Sequence, residues 1–272
     1  MYRINIIFLE LFIKNCLNLF LKKFNLRLTT FSHFNKLSLD AKSFFDFNFL
    51  STVKKNKEQL FKTLKYIPMS KSQLRQDLFV LNQLNFKKKG FFVEFGAADG
   101  VHCSNTFLLE KKFKWKGILS EPGRIYHQKL SLHRKCKIEK KIIWKDSISE
   151  LLFNETLDPL ASTIDEFSFL DINKLSRVKS NNKYKIKTIS LNDLLKKYSA
   201  PKIIDYLSID TEGSEYDILN AFNFKKYKFR IITCEVFSNK KKIHNLLSKN
   251  GYLQIFSNIS AFDNWYINKS IM

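Results

Sequence analysis

Glycine, proline and cysteine are scarce in this 272-residue chain, at 7, 4 and 4, and Asp plus Glu number 25 against 47 Lys plus Arg. Each shortage excludes something. The four cysteines, Cys16, Cys103, Cys136 and Cys234, lie far apart and form no C-x-x-C pair. Neither a zinc site nor a disulfide framework follows, and the reducing cytoplasm is the default setting. No G-x-G-x-x-G turn is present, which removes the usual cradle for a dinucleotide pyrophosphate. Few glycines, alanines and prolines beside many Phe, Lys, Asn and Ile are the mark of AT-rich coding, under which lysine accumulates passively. The net charge of +22 therefore reads first as a solvated basic surface carrying short clusters such as Lys87-Lys88-Lys89 and Lys240-Lys241-Lys242. No nucleic-acid partner is expected; an acidic glycan is compatible with the charge. At 44% apolar residues the chain is too hydrophobic to be disordered, and its length suits one α/β domain with extra material.

Long uninterrupted apolar runs are also missing. Ile4 to Leu21 comes nearest, but Asn5, Glu10, Lys14, Asn15 and Asn18 interrupt it, so a spanning helix is not expected, and no small-residue cleavage site marks a secretory signal. Residues 4–21 suit either a helix lying on a membrane surface through Phe8, Leu11, Phe12 and Leu19, or one docked on the rest of the chain. Thr29 to Lys65 shows no clear pattern. The expected division is an apolar, basic N-terminal extension over 1–69 and a catalytic domain over 70–272, the whole cytoplasmic with membrane association as an option.

What the chain does contain is Phe91-Phe92-Val93-Glu94-Phe95-Gly96-Ala97-Ala98-Asp99-Gly100, followed by Gly117-Ile118-Leu119-Ser120-Glu121-Pro122. An apolar strand ending in an acid and a glycine-spaced turn, then a second strand ending in a carboxylate, describes a nucleoside-binding crevice. Ala98 stands where a middle glycine would be, and Glu94 and Asp99 place negative charge where a pyrophosphate would lie. S-adenosylmethionine has no phosphate and carries a sulfonium and an ammonium, so the pattern reads as a methyl-donor site, with Glu121 accepting from the ribose hydroxyls. Ser72 caps a predicted helix running through Leu84. Beyond it, strands alternate with helices: strands over Phe91 to Phe95, Gly117 to Ser120, Cys136 to Ile143, Lys185 to Ile189, Ile203 to Ile209, Ile231 to Val236, Gly251 to Phe256 and Trp265 to Ile267, with no regular pattern between Ser147 and Asn182. This predicts a mostly parallel sheet with helices on both faces. Glu94, Glu121, Asp210 and Glu235 then fall at strand ends on one rim.

With these stretches in place the chain resembles the FkbM family of S-adenosylmethionine-dependent methyltransferases. The resemblance rests on SQLRQDLFV (Ser72 to Val80), FFVEFGAADGVHCSNTFLLEKKFKWKGILSEP (Phe91 to Pro122), TISLNDLL (Thr188 to Leu195), IDYLSIDTEGSEYDIL (Ile204 to Leu219) and IITCEVF (Ile231 to Phe237). It implies a class I methyltransferase fold, a Rossmann-like seven-stranded sheet whose last strands turn antiparallel, and methyl transfer to a hydroxyl, often on sugars, polysaccharides or polyketides. By that resemblance Glu94, Gly96, Ala97, Asp99 and Gly100 form the donor loop, Ser104 and Asn105 match the S-N pair after it, Glu121 holds the ribose, and Asp146 lies in the segment flanking the adenine. Asp210, Glu212 and Glu215 match the D-x-E-G-x-E segment, and Gly123 departs from the polar residue that more often follows E-P. Asp210 is expected to act as general base and Glu212 to orient a small-molecule or glycan acceptor. No metal ligand is assigned, although a cation bridging Asp210 and Glu235 would also lower a hydroxyl pKa. Competing readings are an RNA methyltransferase, against which the lack of an N/D-P-P-Y signature counts, and a catalytically silent, membrane-associated binding protein on the same scaffold.

Overall fold

The computed structural model describes residues 31–53, 56–156, 159–169, 174–179, 182–236 and 238–272, without the side chains of 31–41 and 176. The proposed membrane-contacting segment 4–21 lies outside the described residues. The chain divides into two compact units, Met1–Phe49 and Leu50–Met272, so the larger unit begins ahead of the boundary expected after residue 69. Thr29 to Lys65 is not irregular: it carries helix α1 (Phe31–Val53) and helix α2 (Lys57–Tyr66). Both escape a search for apolar stripes. In α1 phenylalanine and leucine occur all round the helix, and in α2 the buried positions are Gln59 and Thr63.

Helix α3 (Gln76–Gln83) follows, with Arg75 rather than Ser72 at its N-cap position. Ser72 still serves the first turn, because its hydroxyl accepts from the Asp77 backbone N–H at 3.3 Å. The chain then runs β1 (Phe91–Phe95), α4 (Phe107–Phe113), β2 (Lys116–Ser120), α5 (His127–His133), β3 (Lys137–Glu139), β4 (Ile142–Trp144), β5 (Glu150–Glu155), β6 (Thr163–Ile164), α6 (Lys174–Val178), β7 (Asn182–Ser190), α7 (Leu191–Lys197), β8 (Ile203–Ile209), α8 (Glu215–Asn220), β9 (Lys228–Glu235), α9 (Lys240–Lys249), β10 (Leu253–Ile255) and β11 (Asp263–Ile267).

Seven strands form one sheet in the order β10-β11-β9-β8-β1-β2-β3. The five from β9 to β3 are parallel. β11 runs antiparallel to both neighbours, so β10 points with the rest and only one strand is reversed. Burial on both faces explains the near-continuous apolar runs. On one face Val93, Phe95, Leu207, Ile209 and Ile232 pack with Leu194 and Leu195 of α7, Leu219 of α8, and Ile243 and Leu247 of α9. On the other, Phe79 of α3 stacks on Trp265 of β11 with centroids 4.5 Å apart. Helices thus cover both faces, as the alternation predicts. Strand order reverses between β1 and β8, which opens a crevice at their carboxyl ends.

The expected strand Cys136 to Ile143 is two strands in two sheets. Glu139 ends β3 by accepting from the N–H groups of Lys140 and Lys141 at 3.0 and 3.2 Å, which withdraws them from a ladder. The chain then enters a four-stranded sheet, β4-β7-β5-β6, over a small core of Ile142, Trp144, Phe153 and Ile164. Its strands β5 and β6, with α6, lie in the stretch from Ser147 to Asn182 that showed no pattern. Its signal is hidden by Asn154, a buried strand residue whose amide donates to Ser168 Oγ and the Arg177 carbonyl, both at 3.1 Å. Among the described residues no helix is long and apolar enough to cross a membrane.

Candidate active site

Glu94 sits inside β1 with 3% exposure, where an unpaired carboxylate would be costly. Its partners come from its own chain. The Asn105 N–H donates to it at 2.6 Å, Ser104 Oγ at 3.1 Å, and Thr106 Oγ1 closes the set. The fully buried Arg134 guanidinium stands 3.7 Å away, and also donates to the Gly100 carbonyl at 3.0 Å, to Ser104 Oγ and Thr106 Oγ1, and to Glu110. Glu94 therefore organises the loop from Gly96 to Asn105. Arg134 offsets its charge only in part, because the same guanidinium meets Glu110 more closely, at 2.6 Å. Thr106 and Arg134 were missed, and nothing in their local sequence marks them.

The loop itself bends at Gly96, φ +70, where a Cβ would run into the Asp210 carbonyl oxygen. Only glycine lets the ends of β1 and β8 lie so close. Ala97 is buried and, with Gly96, donates its N–H to the Ser120 carbonyl. Asp99 accepts from the N–H groups of Val101 and His102 at 2.8 Å each; partial burial works against its ionisation, but these donors hold its carboxyl below the usual range. Gly100 turns the chain back against Arg134.

Glu121, at the end of β2, is 6% exposed and accepts from Ala98 N–H and Gly123 N–H at 2.7 Å each. Burial nevertheless pushes its carboxyl up to about 7, with the Glu155 charge adding to the rise. Gly123 has its own explanation: a Cβ there would stand 2.8 Å from Glu121 Oε1. The polar residue expected after E-P would displace the carboxylate.

Across the crevice, Asp210 follows β8 and Glu235 ends β9. Burial, then the neighbouring Glu235 carboxylate, holds the Asp210 carboxyl well above its usual range, and burial raises Glu235 to about 7. The two are hydrogen-bonded and so share a proton near neutral pH. Glu212, at φ +58, is fixed by the fully buried Arg177 of α6, whose Nη2 donates to Glu212 Oε2 at 2.8 Å and whose Nε donates to the Ala161 carbonyl at 2.7 Å. Carboxylate oxygens of Asp210, Glu212 and Glu235 lie within 4.8 Å of one another, a grouping that could hold a metal ion. Glu215 is turned away to its own helix start, accepting from the N–H groups of Thr211 and Gly213 at 3.1 and 2.9 Å.

These groups enclose one cavity of about 370 Å³. Of the residues singled out by sequence, Glu94, Gly96, Asn105, Glu121, Asp210 and Glu212 line it, together with Glu235. Ala97, Asp99, Gly100 and Ser104 shape the loop from behind. Asp146, expected to flank the adenine, is not among the lining residues: its carboxylate accepts from Ile148 N–H, Ser149 N–H and Ser149 Oγ, closing the turn between β4 and β5. The cavity wall on that side comes from Ile142, Ile143, Phe153 and Ile164 of the small sheet, with Tyr126 and Leu160. One lining group is left with a free valence. Asn105 Nδ2 donates to Ser208 Oγ at 2.9 Å, but its buried Oδ1 has no partner among the described residues, as a group that accepts from a ligand would.

The FkbM methyltransferase domain profile matches residues 94–254, which spans the donor loop, the acid rim and most of the sheet. The chain belongs to the FkbM methyltransferase family. No curated protein matches it. Among solved structures, precorrin-6Y C5,15-methyltransferase from Geobacter metallireducens GS-15 is similar over 65% of this chain and 70% of that one, at 10% identity and a TM-score of 0.38. The FkbM domain takes in every lining acid named above.

Proposed function

We propose that this FkbM protein transfers a methyl group from S-adenosylmethionine to a hydroxyl of a sugar, polysaccharide or other small-molecule acceptor. The observation that carries the reading is the convergence of Glu121, the unsatisfied Asn105 Oδ1 and the Asp210–Glu235 pair on one cavity at the point where strand order reverses. These residues fit the donor. Glu121 retains acceptor capacity for a ribose diol beyond its two backbone bonds, and Asn105 Oδ1 can accept from an ammonium. When bound, the donor supplies a methyl carbon already activated toward displacement by its sulfonium. The chain's task is then alignment and proton removal, of which alignment can contribute several kcal/mol. The Asp210–Glu235 pair holds one proton, so the ionised member is the base: Asp210 takes the acceptor proton once the shared proton has passed to Glu235. Glu212, clamped by Arg177, orients the acceptor. Calorimetry with S-adenosylhomocysteine, followed by a mass-spectrometric screen of pooled glycans and small hydroxylated compounds for a gain of one methylene, tests the proposal; binding of a nucleoside phosphate in place of the methyl donor would overturn it.

A further inference from the structure

Helix α2 departs from the usual polarity: Leu60 and Tyr66 are half-buried, but its fully buried positions are polar and two of its apolar side chains face water. The side chains it buries are Gln59 and Thr63, and each is met by a polar partner: Gln59 Nε2 donates to Asn85 Oδ1 at 3.0 Å, Thr63 Oγ1 donates to the Gln59 carbonyl at 2.7 Å, and Asn82 Nδ2 approaches Thr63 Oγ1 at 3.5 Å. The side chains it turns to solvent are Phe61, 69% exposed, and Leu64, 43% exposed. Lys57 and Lys65 lie four residues to either side of Phe61, on the same face of the helix, and both are exposed. Lys62 falls off this stripe and pairs with Glu58 at 2.6 Å. An ordinary surface helix does the opposite, turning its apolar side to the core and its polar side to water. Here the inner face is polar and partly hydrogen-bonded, with Gln59 Oε1 and Asn82 Oδ1 buried without a partner among the described residues, and the outer one offers an aromatic ring and a leucine between lysines.

We propose that this face of α2 docks on an anionic lipid surface, Phe61 and Leu64 entering the headgroup boundary and Lys57 and Lys65 meeting phosphate. Charge selects this occupant. Residues 1–30 carry Arg3, Lys14, Lys22, Lys23 and Arg27 against Glu10 alone, and a second copy of the chain carries a net +22. Either would bring positive charge onto Lys57 and Lys65, whereas anionic headgroups oppose it and apolar side chains between lysines are the pattern of an interfacial helix. The inference is independent of the methyl-transfer reading, since none of these residues lines the cavity.

The test uses the full chain with Phe61→Trp and vesicles of phosphatidylcholine alone or of phosphatidylcholine and phosphatidylglycerol at three to one. The introduced indole, read as the difference from the wild-type spectrum, shifts to shorter wavelength only with phosphatidylglycerol, and salt reverses the shift. In co-sedimentation with the same vesicles, Lys57→Ala and Lys65→Ala each lower the partition coefficient about fivefold, and Phe61→Ser lowers it about tenfold or more. Unchanged melting of the variants shows that the fold persists. Vesicle-bound protein whose introduced indole still emits as in water would overturn the proposal, because another part of the chain would be doing the binding. So would a blue shift without vesicles, which would mean that the chain itself or a second copy already covers the face, and so would no binding to phosphatidylglycerol at all.

Discussion

Glu121 and Asp210 face the same cavity but do different work, and single substitutions should separate them. Replacing Glu121 with Ala removes the acceptor for the donor's ribose and leaves the Ala98 and Gly123 N–H groups without their carboxylate. Donor affinity, read by calorimetry with S-adenosylhomocysteine, should fall about 10- to 100-fold, the span of lost hydrogen bonds to a charged group. Asp210→Asn should leave that affinity within a few-fold while abolishing transfer; equal loss of binding in both variants would contradict the division of labour. Gly96 is structural in another way. Gly96→Ala places a side chain at φ +70 against the Asp210 carbonyl, costing about 1–2 kcal/mol from the backbone alone and more from the contact, so its melting temperature should drop and its donor affinity with it. These roles were legible because each sits where a strand ends, in a motif of fixed spacing. Arg134 was not. It lies forty residues from Glu94 in sequence, between Leu130 and Cys136, and only the packed loop shows that it stands between Glu94 and Glu110.

At the scale of elements, the small sheet and α6 are tied to the catalytic rim by one buried cation. Arg177 reaches from α6 to Glu212 and to the Ala161 carbonyl, while Thr163 of β6 donates to the Glu212 carbonyl at 3.0 Å. Arg177→Met should take from the half-buried Glu212 carboxylate, beside Asp210 and Glu235, its guanidinium partner, a loss of roughly 1–3 kcal/mol. Adding Glu212→Gln to that variant should recover much of it, which urea unfolding of the two single variants and the double variant would measure; additive losses would deny the coupling. Sequence reasoning left Ser147 to Asn182 without a pattern because its strands β5 and β6 are six and two residues long and β5 buries Asn154. Period-two alternation cannot be read where a core position is polar and is paid for only by partners distant in sequence. The long parallel strands β1, β8 and β9 were legible for the opposite reason: burial on both faces demands unbroken apolar runs, and those runs end in the acids that define the rim.

For the molecule as a whole, a basic protein folds around an anionic centre. Glu121, Glu235 and Asp263 are held at about 7 and Asp77 at about 6, each chiefly by burial, against ordinary values of 4.5 for Glu and 3.8 for Asp. Between pH 4 and 7 the unfolded chain therefore gives up protons that the native protein keeps. Stability falls as pH rises through that window, because the unfolded state binds fewer protons. Tm should be lower at pH 8 than at pH 5.5 by roughly 5 °C or more, a trend opposite to that of a protein held by salt-bridged carboxylates; a flat or rising Tm would show that the rim acids ionise freely. The same linkage bears on ligand choice. A cation entering the cavity lowers those pKa values and expels protons, whereas a phosphate would raise them.

Titration calorimetry of S-adenosylmethionine at pH 7, run in two buffers of different ionisation heat, tests that claim most directly. Saturable binding with net proton release, and no heat from NAD, is the predicted result. Proton uptake on binding, or heat from NAD with none from the sulfonium compound, would contradict an anionic site built for a cationic methyl donor.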